Sequence, residues 1–123
     1  MIDDYQEFLL KIKDQVSKIG MKLVKDTDYS AEFERPDGYR LVFEGERYYR
    51  PLVGISIRPP GEIEDFSLSI LMKVYQNQES ITLPAPSLDN QIDFLIANID
   101  GWIWNTEHYK KAYKAINEPW TNN

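Results

Sequence analysis

Apolar residues open the chain at three- and four-residue spacings: Tyr5, Phe8, Leu9, Ile12, Val16 and Ile19, with lysines and acids between them and Gly20 behind. That spacing gathers the apolar side chains on one stripe and predicts an amphipathic helix over residues 2–19, stopped at Gly20. Asp3 and Asp4 at its start and Lys18 near its end suit the helix dipole. After Gly20 the period falls to two. Met21 and Leu23 flank Lys22, and Tyr29, Ala31 and Phe33 alternate with Ser30, Glu32 and Glu34, which reads as two strands joined near Asp26-Thr27-Asp28.

Pro36-Asp37-Gly38 is a turn signal, and Tyr39, Leu41 and Phe43 continue the alternation as a third strand. Glu44-Gly45-Glu46 turns the chain again. A fourth strand follows over Leu52–Ile57, with Gly54 marking a bulge or a close approach, and Pro59-Pro60-Gly61 ends it. Phe66 to Tyr75 carries both periods; the helical one is preferred, starting at Asp65 or Ser67. Residues 76–87 are polar and contain Pro84 and Pro86, so they predict a loop. Ser87 then caps a helix whose face holds Leu88, Ile92, Leu95, Ile99, Trp102 and Ile103, with a break near Asp100-Gly101 or Asn105-Thr106, after which Thr106 caps a further helix.

The order of elements predicts an α+β fold: an N-terminal helix, a four-stranded antiparallel sheet and C-terminal helices packed on one sheet face. One domain over residues 1–118 is expected, with a tail at 119–123 that frays. If Ser30, Glu32, Glu34, Arg40 and Glu44 face away from the helices, the other sheet face is polar and wet.

Composition narrows the function. In 123 residues, 42% are apolar and 13% aromatic, enough to bury one core unaided. The chain has no cysteine, which excludes a disulfide scaffold, a thiolate metal site and a cysteine nucleophile. The acidic start Met1-Ile2-Asp3-Asp4-Tyr5 lacks the pattern of a secretory signal, and no stretch approaches ~20 apolar residues, so a cytoplasmic protein without a membrane partner is expected. No phosphate loop, dinucleotide fingerprint or nucleophile elbow is present.

His108 is the only histidine, and neighbours on a helix do not face one another, so Glu107 is poorly placed to pair with it. An ordinary surface histidine is expected. The carboxylates Glu44/Glu46 and Glu62/Glu64/Asp65 fall at turns, where acids are solvated. No catalytic residue, cofactor or metal is therefore assigned.

Charge is sorted along the chain. All five arginines, Arg35, Arg40, Arg47, Arg50 and Arg58, lie in one stretch, whereas Val74 to Tyr109 has five acids and no lysine or arginine. The net charge of −6 opposes nucleic acid and favours basic partners. Asp89 and Asp93 are one helical turn apart, Asp100 and Glu107 a heptad apart, and Trp104 offers an aromatic anchor; these five residues are the expected partner-binding face. A second candidate is an anion site at Arg40, Arg47, Tyr48 and Arg50, where guanidinium groups and rings interleave. Against it, the arginines are expected to pair across strands with Glu32, Glu34 or Glu44.

The run Gly20-Met21-Lys22-Leu23-Val24 through Tyr29-Ser30-Ala31-Glu32-Phe33, the turns at Asp37-Gly38 and Gly45, then Val53 to Ile57 and Asp65 to Tyr75, resembles small bacterial proteins of toxin-immunity neighbourhoods. The likeness covers about residues 1–77 and lies in element order and apolar pattern, so it carries over no functional residue. What it implies is a cytoplasmic, nonenzymatic protein that neutralises a cognate toxin, often a basic nuclease, by covering its active site with acids. The alternative is a structural or regulatory domain that forms a homodimer through its sheet.

Overall fold

The computed structural model describes residues 1–50 and 52–117, and the chain divides into two compact units, Met1–Asp65 and the part from Phe66 onward. The tail expected to fray, 119–123, lies outside the described residues. The architecture is α+β, as the sequence predicts.

In the first unit, helix α1 (Asp3–Ser17) buries Tyr5, Leu9, Ile12 and Val16. A lone helix of 15 residues is marginal in water. Each of those side chains contributes roughly 1.5–3 kcal/mol on burial, so packing rather than propensity sustains it. The helix stops short of Gly20, whose φ of +81° lets the N–H of Met21 reach back to the Val16 carbonyl at 3.1 Å and aims the chain into the sheet.

Strands β1 (Lys22–Asp26), β2 (Ser30–Glu34), β3 (Arg40–Gly45) and β4 (Val53–Arg58) follow as an antiparallel meander. The register aligns Ala31, Phe43 and Ile55 in one row and Phe33, Leu41 and Ile57 in the next, all buried. Ser30, Glu32, Glu34, Arg40 and Glu44 take the opposite face, as period two requires.

Gly54 departs from expectation. It pairs regularly with Glu44, and a Cβ added there would meet nothing within 4 Å. The bulge lies instead in β1, between Leu23 and Lys25, and the close approach is at Gly45. The ring of Tyr5 rests on Gly45 and meets Phe43 edge-on at 6.1 Å. Its hydroxyl donates to the carbonyl of Glu46 at 2.6 Å and lies 3.2 Å from that of Leu52.

The second unit begins with a two-residue strand, β5 (Phe66–Ser67), so the antiparallel sheet has five strands rather than the expected four. Helix α2 (Leu68–Glu79) follows at once. The helical period, preferred from the sequence, is the one realised from Leu68 on; of the alternating residues only Phe66 lies in the strand. Helix α3 (Leu88–Asn98) is capped by Ser87, whose hydroxyl accepts from the N–H of Asn90 at 3.2 Å.

α3 ends earlier than its apolar period suggests. The N–H groups of Gly101 and Ile103 both turn back to the carbonyl of Asn98, so Ile99 and Ile103 are buried from a turn instead of a helix. A 3-10 turn (Thr106–His108) and helix α4 (Lys110–Asn117) complete the unit. Asn105, not Thr106, caps that turn, accepting from the N–H of Glu107 at 3.0 Å. One aromatic cluster organises this unit: Phe66 against Tyr109 and Tyr113, and Tyr75 with Phe94 and Trp102, joined where Trp102 meets Tyr109. Among the described residues no helix is long and apolar enough to cross a membrane.

Gly45→Ala would put a methyl group 2.5 Å from the Tyr5 ring. Because ring and backbone are both fixed, we expect a loss of about 1–3 kcal/mol in urea unfolding. A loss below about 0.5 kcal/mol, the size of an ordinary surface change, would show that the contact is slack.

Candidate functional site

α3 presents two faces because its sequence does. Ile92, Phe94 and Leu95 are buried, while Asp89 and Asp93 share the exposed side, one turn apart. Beside Asp93 lies a cleft of about 240 Å³ lined by Met72, Leu83, Pro84 and Phe94 together with Asn90 and Asn98. That is smaller than the ~300–1,000 Å³ of sites that enclose a whole small molecule, and suits a side chain.

The wall formed by Leu83 and Pro84 belongs to a strap, residues 80–87, that is pinned at both ends. The N–H of Leu83 donates to Gln76 Oε1 at 2.8 Å, and the amides of Asn90 and Gln91 donate to the carbonyls of Ala85 and Pro86 at 2.8 and 2.7 Å. Leu83 and Pro84 also border a second depression, of similar volume, which Lys73 lines. Asp93 lines the first depression and Lys73 the second, and Met72, Leu83 and Pro84 line both.

The other expected contact residues lie beyond α3. Asp100 is exposed in the turn that ends the helix, and Trp104 is 50% exposed in the same turn. Trp102, two residues earlier, packs against Tyr75, Phe94 and Tyr109, with its Nε1 donating to Gln78 Oε1 at 3.0 Å. Glu107 lines a different, shallow depression together with His108 and Lys111. The heptad register of Asp100 and Glu107 is lost because the helix stops at Asn98, and Glu107 has a lysine in its surroundings. Asp89 and Asp93 are brought together; Asp100 and Glu107 do not extend their row.

His108 has a structural place. Its Nδ1 lies 3.0 Å from the carbonyl of Trp102, an acceptor only, so Nδ1 carries the proton; its own carbonyl accepts from Gln78 at 2.7 Å. Among the described residues, no group of three acids or histidines is placed to hold a metal, and no polar or charged residue is buried.

The four residues of the expected anion site are not gathered. Arg40 opens β3 and Arg47 follows its end, so a strand of about 20 Å separates them. Arg40 forks between Glu32 Oε1 at 2.9 Å and Glu34 Oε2 at 2.7 Å. Lys25 extends the ladder to Glu32 at 3.5 Å. This is the cross-strand pairing the alternation anticipates. Arg47 stacks over the Tyr29 ring at 4.9 Å, Arg50 pairs with Asp4 at 3.2 Å, and Tyr48 points outward.

What the sequence reading missed is the far wall of the cleft. Met72, Leu83, Pro84 and Phe94 fall in no single periodic segment, and the only local sign was the apolar run Leu83-Pro84-Ala85-Pro86 inside an otherwise polar stretch. Comparison with family models, curated proteins and solved structures found no match to this chain.

Glu32 supplies a pH test of the ladder. Burial acts to raise its carboxyl pKa, but the hydrogen bond and charge of Arg40, aided by Lys25, hold it below the ordinary value. A depressed folded-state pKa gives stability that is present above the unfolded value and lost as pH falls through the folded one. The gap in melting temperature between wild type and Glu32→Gln should therefore be widest near neutrality and close below pH ~4. A gap that stays constant on acidification would contradict the ladder.

Proposed function

We propose that this chain is a nonenzymatic protein-binding module that takes a basic partner on the exposed side of α3. The observation that carries the reading is Asp93 on the lip of an apolar cleft, with Asp89 one turn away on the same face. A lysine or arginine of the partner would lay its methylenes along Met72 and Phe94 and bring its charge to Asp93. Asp100 and Glu107 add to the negative field around this unit, and such fields act mainly on association rate. Trp104 offers exposed aromatic surface of the kind that anchors interfaces.

The resemblance to immunity-type proteins makes a basic toxin the first partner to try, in a cytoplasmic setting. The homodimer alternative has less support. β1 begins the strand order and carries a bulge, a feature that discourages pairing edge to edge. The anion-site alternative is weaker because its arginines already have acidic or aromatic neighbours.

Charge reversal tests the reading. Asp89→Lys with Asp93→Lys should leave the melting temperature near that of wild type and slow association with a basic partner by about 10-fold or more. In cells carrying a toxin gene adjacent to this one, the variant should fail to protect where wild type succeeds. Equal protection by the two would sink the proposal.

A further inference from the structure

Two small depressions in the second unit share a wall and differ in charge. Each measures about 240 Å³ and both are lined by Met72, Leu83 and Pro84, but Asp93 is the one charged residue of the first and Lys73 that of the second. Either space suits one side chain, and the common wall makes them neighbours that a single short segment can fill together.

Lys73 stands out in the sequence as well. It is the single lysine or arginine between Arg58 and Lys110, in a stretch otherwise rich in acids. Even so, its exposed side chain has no acid or hydrogen-bond partner among the described residues, and neither has that of Asp93. Both charges are thus left for groups outside the chain.

The shared wall is set in place beforehand. Gln76 Oε1 accepts from the N–H of Leu83 and the amide of Asn90 donates to the Ala85 carbonyl, both at 2.8 Å, while the ring of Pro84 fixes its φ. Gln76 lines the Lys73 depression from α2, and Asn90 lines the Asp93 depression from α3. A wall ordered in this way costs a partner little to dock on.

We infer, on the footing of the α3 reading, that the two depressions together take one short segment of a partner protein carrying a base and an acid, the base at Asp93 and the acid at Lys73. Basic character alone is then insufficient. A run of basic residues gains at Asp93 and meets like charge at Lys73, a run of acids meets the reverse, and a segment with one of each gains at both. A phosphate polymer or an anionic bilayer fares as the acids do. The shared apolar wall accepts the methylene stems of both side chains.

Random peptides displayed on phage and selected on the full chain test the pairing. Enriched peptides should share a lysine or arginine together with an aspartate or glutamate, and selection on Lys73→Glu should keep the base and lose the acid. A synthetic peptide from the wild-type selection should lose about tenfold or more in affinity for Lys73→Glu, and changing its acid to lysine should restore binding to that variant. Restoration of this kind requires a folded protein. Lys111→Glu makes the same change of net charge at an exposed lysine of a different depression, and should leave affinity near that of wild type. Peptides enriched in a base without an acid, or an equal loss for Lys111→Glu, would overturn the pairing and leave the α3 reading standing. No enrichment of a base, or binding that survives Asp93→Lys, would remove both.

Discussion

The first unit depends on the seating of Tyr5. Its ring fills the space that a glycine leaves open on β3, and its hydroxyl reaches the two carbonyls that close the base of the next loop. Burial holds this phenol above its ordinary pKa, against the pull of Arg50, so it remains a hydrogen-bond donor. One side chain thereby fixes how α1 lies on the sheet, where β3 ends and how the β3–β4 loop is presented. The order of causes runs from a missing Cβ, to a ring that can approach the backbone, to a hydroxyl that ties the base of the loop at Glu46 and Leu52.

Charge is handled differently in the two units. On the outward sheet face, cations and acids neutralise each other through Lys25, Glu32, Arg40 and Glu34, and Arg58 holds Asp65 with both of its carboxylate oxygens. Exposed pairs of this type contribute little each, yet a ladder that consumes its own cations offers none to an anion. On α3 one acid, Asp93, stands at the edge of an apolar cleft, where a charge interaction is screened less than on the open sheet face. The contrast lies in the surroundings of the carboxylates, not in their number.

Much of the first unit was legible because its information is local. Alternation over Tyr29 to Phe33 and Tyr39 to Phe43, with turn residues between them, sets both strands and faces, and cross-strand pairing of Arg40 with Glu34 follows from the register. The reach of Tyr5 was not legible, since it spans more than forty residues of sequence and hinges on which glycine lies beneath the ring. The end of α3 was hidden for another reason. Ile99 and Ile103 keep the helical period although the backbone has already turned on Asn98, so the apolar pattern recorded burial and not helix.

The linear sorting of charge was a partial guide to the surface. It located Asp89 and Asp93, whose helix is continuous, but it passed over Lys111, which lies outside the acid-only stretch and lines the same depression as Glu107. It also emphasised the arginines of Arg47-Tyr48-Tyr49-Arg50, which the fold leaves exposed but engages with Tyr29 and Asp4. Amide hydrogen exchange on Tyr5→Phe beside wild type tests the governing role of Tyr5 most directly, because the substitution removes one oxygen and leaves the ring. The account predicts that the amides of Glu46 and Leu52 exchange about tenfold or more faster, with β2 and β3 still protected. Unchanged exchange at both amides would contradict it.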